Sequence, residues 1–89
     1  MRSTVLGSRF RRDVKRMERR GKEMLKLRQV IHLLCQDEEL PQNSKDHPLT
    51  GDWAGFRDCH IEPDWLLLYR IEGSDLHLVR TGTHADLFS

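Results

Sequence analysis

The chain reads as one small α+β domain, ordered β-α-α-β-β-β, with a helical hairpin packed on a mostly antiparallel, twisted sheet. Three observations predict it. Apolar residues in the first third recur at helical spacing, broken once by a glycine. The second half alternates at strand spacing and is punctuated by turn residues. The 89 residues, 37% hydrophobic and 33% charged, suffice for one modest core, so residues 1–89 form a single domain.

Ser3 to Leu6 can form a short strand that stops at Gly7-Ser8. Ser8 is a candidate N-cap, since its hydroxyl can take an otherwise orphaned helix N–H. Phe10, Val14 and Met17 then fall at spacings of four and three, one face of a helix whose other faces are mostly Arg and Lys. Gly21 ends it as a C′ residue. Met24, Leu27, Val30, Ile31 and Leu34 mark a second helix, which Leu40-Pro41 stops. A short link between two amphipathic helices predicts an antiparallel hairpin. Pro41 to Gly51 is polar and carries two prolines and a glycine, a loop.

Strands follow. From Gly55 to Ile61, Phe56, Asp58 and His60 alternate with Arg57, Cys59 and Ile61. Glu62-Pro63-Asp64 is a turn. Trp65 to Ile71 (WLLLYRI) is the predicted central strand, and Gly73-Ser74 a hairpin turn. In the last strand Leu76, Leu78 and Arg80 alternate with His77, Val79 and Thr81; a bulge would exchange the two sets.

Composition excludes several classes. The longest apolar run is Trp65 to Tyr69, far short of a membrane span. The N-terminus lacks a signal-peptide core, which predicts a cytoplasmic protein. Cys35 and Cys59 are too few for a disulfide framework and read as reduced core or semi-core thiols. The net charge of +1 conceals a division. Residues 1–30 hold eleven Lys or Arg against three acids, net +8, and the remainder is −7. Such a split predicts a polyanion-facing surface or a solvated helix face.

Four of the five histidines and both tryptophans lie beyond residue 46. His47, His60 and His84 come from a loop, a strand and the C-terminal tail, so only the fold can bring them together. Imidazoles suit acid–base chemistry, metal binding or plain surface. No His-x-His, His-x-x-x-His or Cys-x-x-Cys spacing favours a metal. Asp64 can orient an imidazole, accept a proton or cap an Asx turn. Arg80 can pair with a phosphate, or with Asp58, Glu62 or Asp64. Trp65 is a core candidate. Phe88 either pins the tail or offers a ring to a nucleobase. Basic surface, stackable rings and imidazoles together point to single-stranded RNA.

The segment KDHPLTGDWAGFRDCHIEPDWLLLYR, Lys45 to Arg70, and the ending RTGTHADLF, Arg80 to Phe88, resemble the YafQ-type toxins of the RelE/ParE superfamily of bacterial type II toxin–antitoxin systems. The F-x-x-D-V-K pattern from Phe10 and the basic helix pair extend the likeness over nearly the whole chain. The resemblance implies a ribosome-dependent mRNA endonuclease that cuts the A-site codon, with the 2′-hydroxyl as nucleophile and no metal or other cofactor. It places the catalytic set on His47, His60, Asp64 and His84. His84 is the acid, and Asp64 with His60 or His47 serves the base side. Arg80, Phe88 and Trp65 bind substrate. Arg9, Arg11, Arg12, Lys15, Arg16, Arg19, Arg20, Lys22 and Lys26 meet ribosomal RNA phosphates. The implied partners are the 70S ribosome, mRNA and an acidic, partly disordered antitoxin with a DNA-binding dimer domain. Two other functions suit the same fold: poisoning of DNA gyrase, and binding without catalysis.

Overall fold

The computed structural model of the chain describes residues 1–88. Strand β1 (Ser3–Leu6) leads into helices α1 (Ser8–Arg19) and α2 (Met24–Cys35). Strands β2 (His47–Pro48), β3 (Arg57–Glu62), β4 (Trp65–Glu72) and β5 (Asp75–Gly82) follow, then helix α3 (His84–Phe88). One sheet runs in the order β1-β5-β4-β3-β2. β1 pairs parallel with β5, and the other neighbours are antiparallel. The predicted class and the central place of β4 are therefore observed. Two elements go beyond the prediction: the two-residue edge strand β2 inside the supposed loop, and α3 in the supposed tail. Among the described residues no helix is long and apolar enough to cross a membrane.

The helix ends differ from the sequence reading in instructive ways. The N-cap of α1 is Gly7, extended at φ −68° and ψ 154°, and Ser8 is already helical. No side chain caps this end. At the other end Gly21 has φ 83°, where a side chain would be strained. Its N–H donates to the Glu18 carbonyl at 3.0 Å, and that of Lys22 to the Met17 carbonyl at 3.1 Å. This paired closure ends the helix. α2 closes the same way at Asp37, φ 57°, through Asp37 N–H to Leu34 (3.3 Å) and Glu38 N–H to Leu33 (3.0 Å). The stop is thus Asp37, a residue type that tolerates the left-handed region, well before Pro41.

Alternate residues of β4 face the helices. Trp65, Leu67 and Tyr69 join Cys59 of β3, Leu76 and Leu78 of β5, Phe10 and Met17 of α1, and Leu27 and Leu34 of α2 in one buried cluster. Both cysteines are free and buried, as predicted. Leu66 and Leu68 point the other way and meet Leu87 of α3, with Leu49 and Trp53 beside them. Helices α1 and α2 thus cover one face of the sheet, and the other is open apart from the small patch under α3.

Two bulges re-aim side chains. In β5, Tyr69 pairs with Leu78 but Leu68 with Arg80, so Val79 is an extra residue. Leu76 and Leu78 therefore share the helix-covered face with Thr81, not with Arg80. Thr81 Oγ1 accepts the Trp65 Nε1–H at 2.9 Å and donates to the Leu66 carbonyl at 2.7 Å. In β3 the register shifts between His60 and Glu62.

Candidate active site on the open face of the sheet

β3 alternates, and its core residue is Cys59, so Asp58 and His60 emerge on the open face. β2 lies antiparallel to β3 and sets His47 opposite Asp58. The β3–β4 turn supplies Asp64, and α3 begins with His84. Residues distant in sequence are thereby gathered.

His84 and Asp64 form the tightest contact. The Asp64 Oδ1 accepts the His84 backbone N–H at 2.9 Å and its Nδ1–H at 2.6 Å. A carboxylate only accepts, so Nδ1 carries the proton and Nε2 is the nitrogen left for chemistry. The backbone and then the side chain of His84 hold the Asp64 carboxyl below the usual carboxylate range. The sequence reading places Asp64 on the base side. Both of its close contacts go to His84, whose ring it holds by Nδ1. The His60 ring stands edge-on to His84 with 5.6 Å between centroids.

On the other side of the cluster, His47 Nδ1–H donates to the Lys45 carbonyl at 2.7 Å, which leaves its Nε2 as the basic nitrogen of the neutral ring. The same Nδ1 lies 3.3 Å from Asp58 Oδ1. Asp58 is buried, yet this oxygen has no hydrogen-bond partner among the described residues. Burial pushes its carboxyl up, and the charges of His47, His60 and His84 pull the other way. Asp58 thus senses all three imidazoles, and the sequence reading passes it over as a possible salt-bridge partner. The available signal was parity: Asp58 is two residues from His60 on an alternating strand.

The substrate-side residues divide. Phe88 is 44% exposed at the end of α3, an open ring. Trp65 is a correction: it is fully buried on the helix-covered face and bonded to Thr81, so it cannot present a surface to a base. Arg80 is paired, but not with Asp58, Glu62 or Asp64. Its Nε and Nη2 donate to Asp13 of α1 at 2.6 and 3.1 Å. Asp13, 5% exposed, also accepts the Thr81 N–H at 3.2 Å and Arg16 Nη2 at 3.1 Å.

The basic residues divide too. Arg20 donates twice to Asp86, at 2.7 and 3.2 Å. Lys22 and Lys26 both grip Glu62, at 2.9 and 2.8 Å. Arg9, Arg11, Arg12, Lys15 and Arg19 are exposed and form no ion pair among the described residues. Arg9, Arg12, Arg16, Arg19 and Arg80 ring Asp13 around a cleft of about 310 Å³. Of the nine basic residues singled out in the sequence, the five without an ion pair among the described residues thus all lie on α1. His77 stands near Glu72 and His32 is exposed on α2.

The histidine cluster is an open shelf: the His84 and Asp64 side chains are 54% and 66% exposed. Two deeper clefts of about 660 Å³ lie elsewhere, one beside Tyr69 and Asp46, the other between α2 and β3, touching the cluster only through His60. Among the described residues no group of three or more His, Cys, Asp or Glu side chains is placed to hold a metal ion.

Known proteins share this fold. A family model described as the bacterial toxin of type II toxin–antitoxin system, YafQ, matches residues 2–89. The mRNA interferase toxin YafQ of Escherichia coli K12 is 48% identical over 80 residues, 89% of this chain and 87% of that protein. In the crystal structure of the E. coli DinJ–YafQ complex, the matching chain has a TM-score of 0.92 at 43% identity, covering all of both chains. The crystal structure of a metal-bound toxin from Helicobacter pylori matches at a TM-score of 0.93 and 37% identity, over 99% of this chain and all of that one. Sequence, fold and the order of elements agree from end to end: the chain belongs to the YafQ family of bacterial toxins of type II toxin–antitoxin systems.

Proposed function

We propose that this toxin is an mRNA endonuclease that acts on the ribosome, cutting the codon in the A site without a metal. The observation that carries the reading is the Asp64–His84 pair, 2.6 Å between Oδ1 and Nδ1, beside His60 on an open face. An imidazole held through Nδ1 by a carboxylate presents Nε2 as an acid–base group.

The 2′-hydroxyl loses its proton to Nε2 of His47 or His60, and its oxygen bonds to the adjacent phosphorus. The bond from phosphorus to the 5′-oxygen breaks, and His84, as imidazolium, protonates that oxygen. The products are a 2′,3′-cyclic phosphate and a 5′-hydroxyl. Asp64 orients the acid. Asp58 supplies negative charge beneath the three rings and so favours the protonated imidazole the step requires. Arg80 neutralises charge on the phosphate, and the Phe88 ring stacks on a base. An open shelf cannot exclude water by itself, which fits a substrate presented by a larger particle. The five uncompensated residues Arg9, Arg11, Arg12, Lys15 and Arg19 then meet ribosomal RNA phosphates, so affinity falls steeply with salt. The E. coli relative crystallised with DinJ supports an antitoxin partner here, an acidic segment that folds over the basic surface.

Mapping of 5′ ends on a message held by 70S ribosomes tests this. Cuts confined to the A-site codon and absent without ribosomes are the expected result. They should persist with a chelator that takes transition metals and spares magnesium; their loss in that arm would overturn the metal-free step. No cutting by the folded protein would overturn the nuclease reading and leave gyrase binding or a binding-only role.

A further inference from the structure

His84 owes its place to α3, a helix of five residues. So short a helix has no stability of its own, and something must hold it. Reciprocal caps do part of this: Thr83 N–H donates to Asp86 Oδ2 at 2.9 Å, and Asp86 N–H donates to Thr83 Oγ1 at 3.1 Å. Gly82 leaves the room, since a Cβ there would lie 2.9 Å from Asp86 Oδ2. The Asp86 carboxylate is only 13% exposed, and both its oxygens accept from Arg20, the residue just past α1. Arg16 stands 4.0 Å away.

We propose that the Arg20–Asp86 pair is a positioning device for the candidate acid: the end of the basic helix holds α3, and with it His84, in register on the open face. The inference rests on the reading of His84 given above. It reassigns Arg20 from the RNA-contact surface to the support of the active site. An exposed ion pair contributes little to stability. A two-point pair fixes direction as well as distance, however, and direction is what a five-residue helix lacks. The Arg20 hydrogen bond, more than any other contact, holds the Asp86 carboxyl far below the usual range, so the pair stays charged near neutral pH.

The test compares Arg20→Ala, Arg20→Lys and Asp86→Asn in single-turnover cleavage on programmed ribosomes, with the His84 ring signals followed by NMR in the free proteins. Positioning predicts that Arg20→Ala and Asp86→Asn lower the rate at saturating toxin by about 10–100-fold, the scale of a catalytic group misplaced by an ångström. It predicts that both move the His84 signals, and that Arg20→Lys recovers part of each. Asp86→Asn removes a negative charge, so a loss of RNA contact cannot explain its defect. An Arg20→Ala variant that only raises the half-saturating concentration, beside an Asp86→Asn variant that cuts like the parent, would overturn the proposal. If the parent protein does not cut at all, the function above fails, and the ring signals decide alone: unmoved His84 signals in Arg20→Ala sink the positioning role. Arg20→Lys keeps charge and one hydrogen bond, so it covers the case in which the alanine variant unfolds.

Discussion

On the helix-covered face of the sheet, Cys59, Trp65, Leu67, Tyr69, Leu76 and Leu78 are no more than 1% exposed. On the opposite face the intervening residues of β3 and β4 are Asp58, His60, Leu66 and Leu68, and the only apolar cluster is small. The same strands build both. One face is close-packed and mostly apolar. The other holds three imidazoles and two carboxylates, one of them buried without a hydrogen bond to its Oδ1. The difference teaches that cohesion and chemistry sit on opposite sides of one layer, so each can be altered with limited damage to the other.

The largest effect should come from the open face. His84→Ala should cut the cleavage rate by about 10²–10⁴-fold while the melting temperature stays near the parent's, because the side chain is half exposed. An unchanged rate removes His84 from the chemistry. The covered face should behave in reverse. Leu67→Ala should cost roughly 2–5 kcal/mol in urea unfolding, with cleavage retained at temperatures where the variant is folded; a rate loss without destabilisation would break the division. Trp65→Phe sharpens the boundary. It leaves Thr81 Oγ1 without its donor and should cost about 1 kcal/mol, with cleavage following stability. A rate defect in a fully stable variant would return Trp65 to the substrate.

The smallest effect has the most informative sign. Burial raises the Asp58 carboxyl above its ordinary range, so the contribution of this group to stability is present at low pH and is lost as pH rises through its folded-state value. Asp58→Asn should therefore melt higher than the parent near neutral pH, with the gap closing as the solution is acidified, and should cleave more slowly. A variant that melts lower at neutral pH would show that the imidazoles stabilise the charge more than burial penalises it.

Much of this was legible in the chain. Phe10, Val14 and Met17 mark one face of α1, Gly21 its end, and WLLLYRI the central strand, because each is a local pattern with a local cause. The candidate site residues other than Asp58 were named through the family pattern rather than through spacing. β2 was missed because it has no local signal, and α3 because its one signal, the Thr83-x-x-Asp86 capping pattern, precedes too few residues to mark a helix. Two residues pair only because β3 lies beside them, and a five-residue helix forms only because Thr83, Asp86 and Arg20 hold it. The Pro41 stop for α2 was wrong because Asp37 closes the helix first.

The sequence by itself determined the class of fold, the helices α1 and α2, the strands β1, β3, β4 and β5, and the division of charge between the first third and the rest. Those follow from periodicity and composition, which act over a few residues. Tertiary structure alone decided which face of each strand is chemical. The extra Val79 puts Thr81 with Leu78 on the covered face. Packing sends Trp65 into the core, binds Arg80 to Asp13 across the molecule, and brings Asp64 to His84. These outcomes depend on register and on contacts between residues far apart in the chain, and a one-residue change of register reverses them.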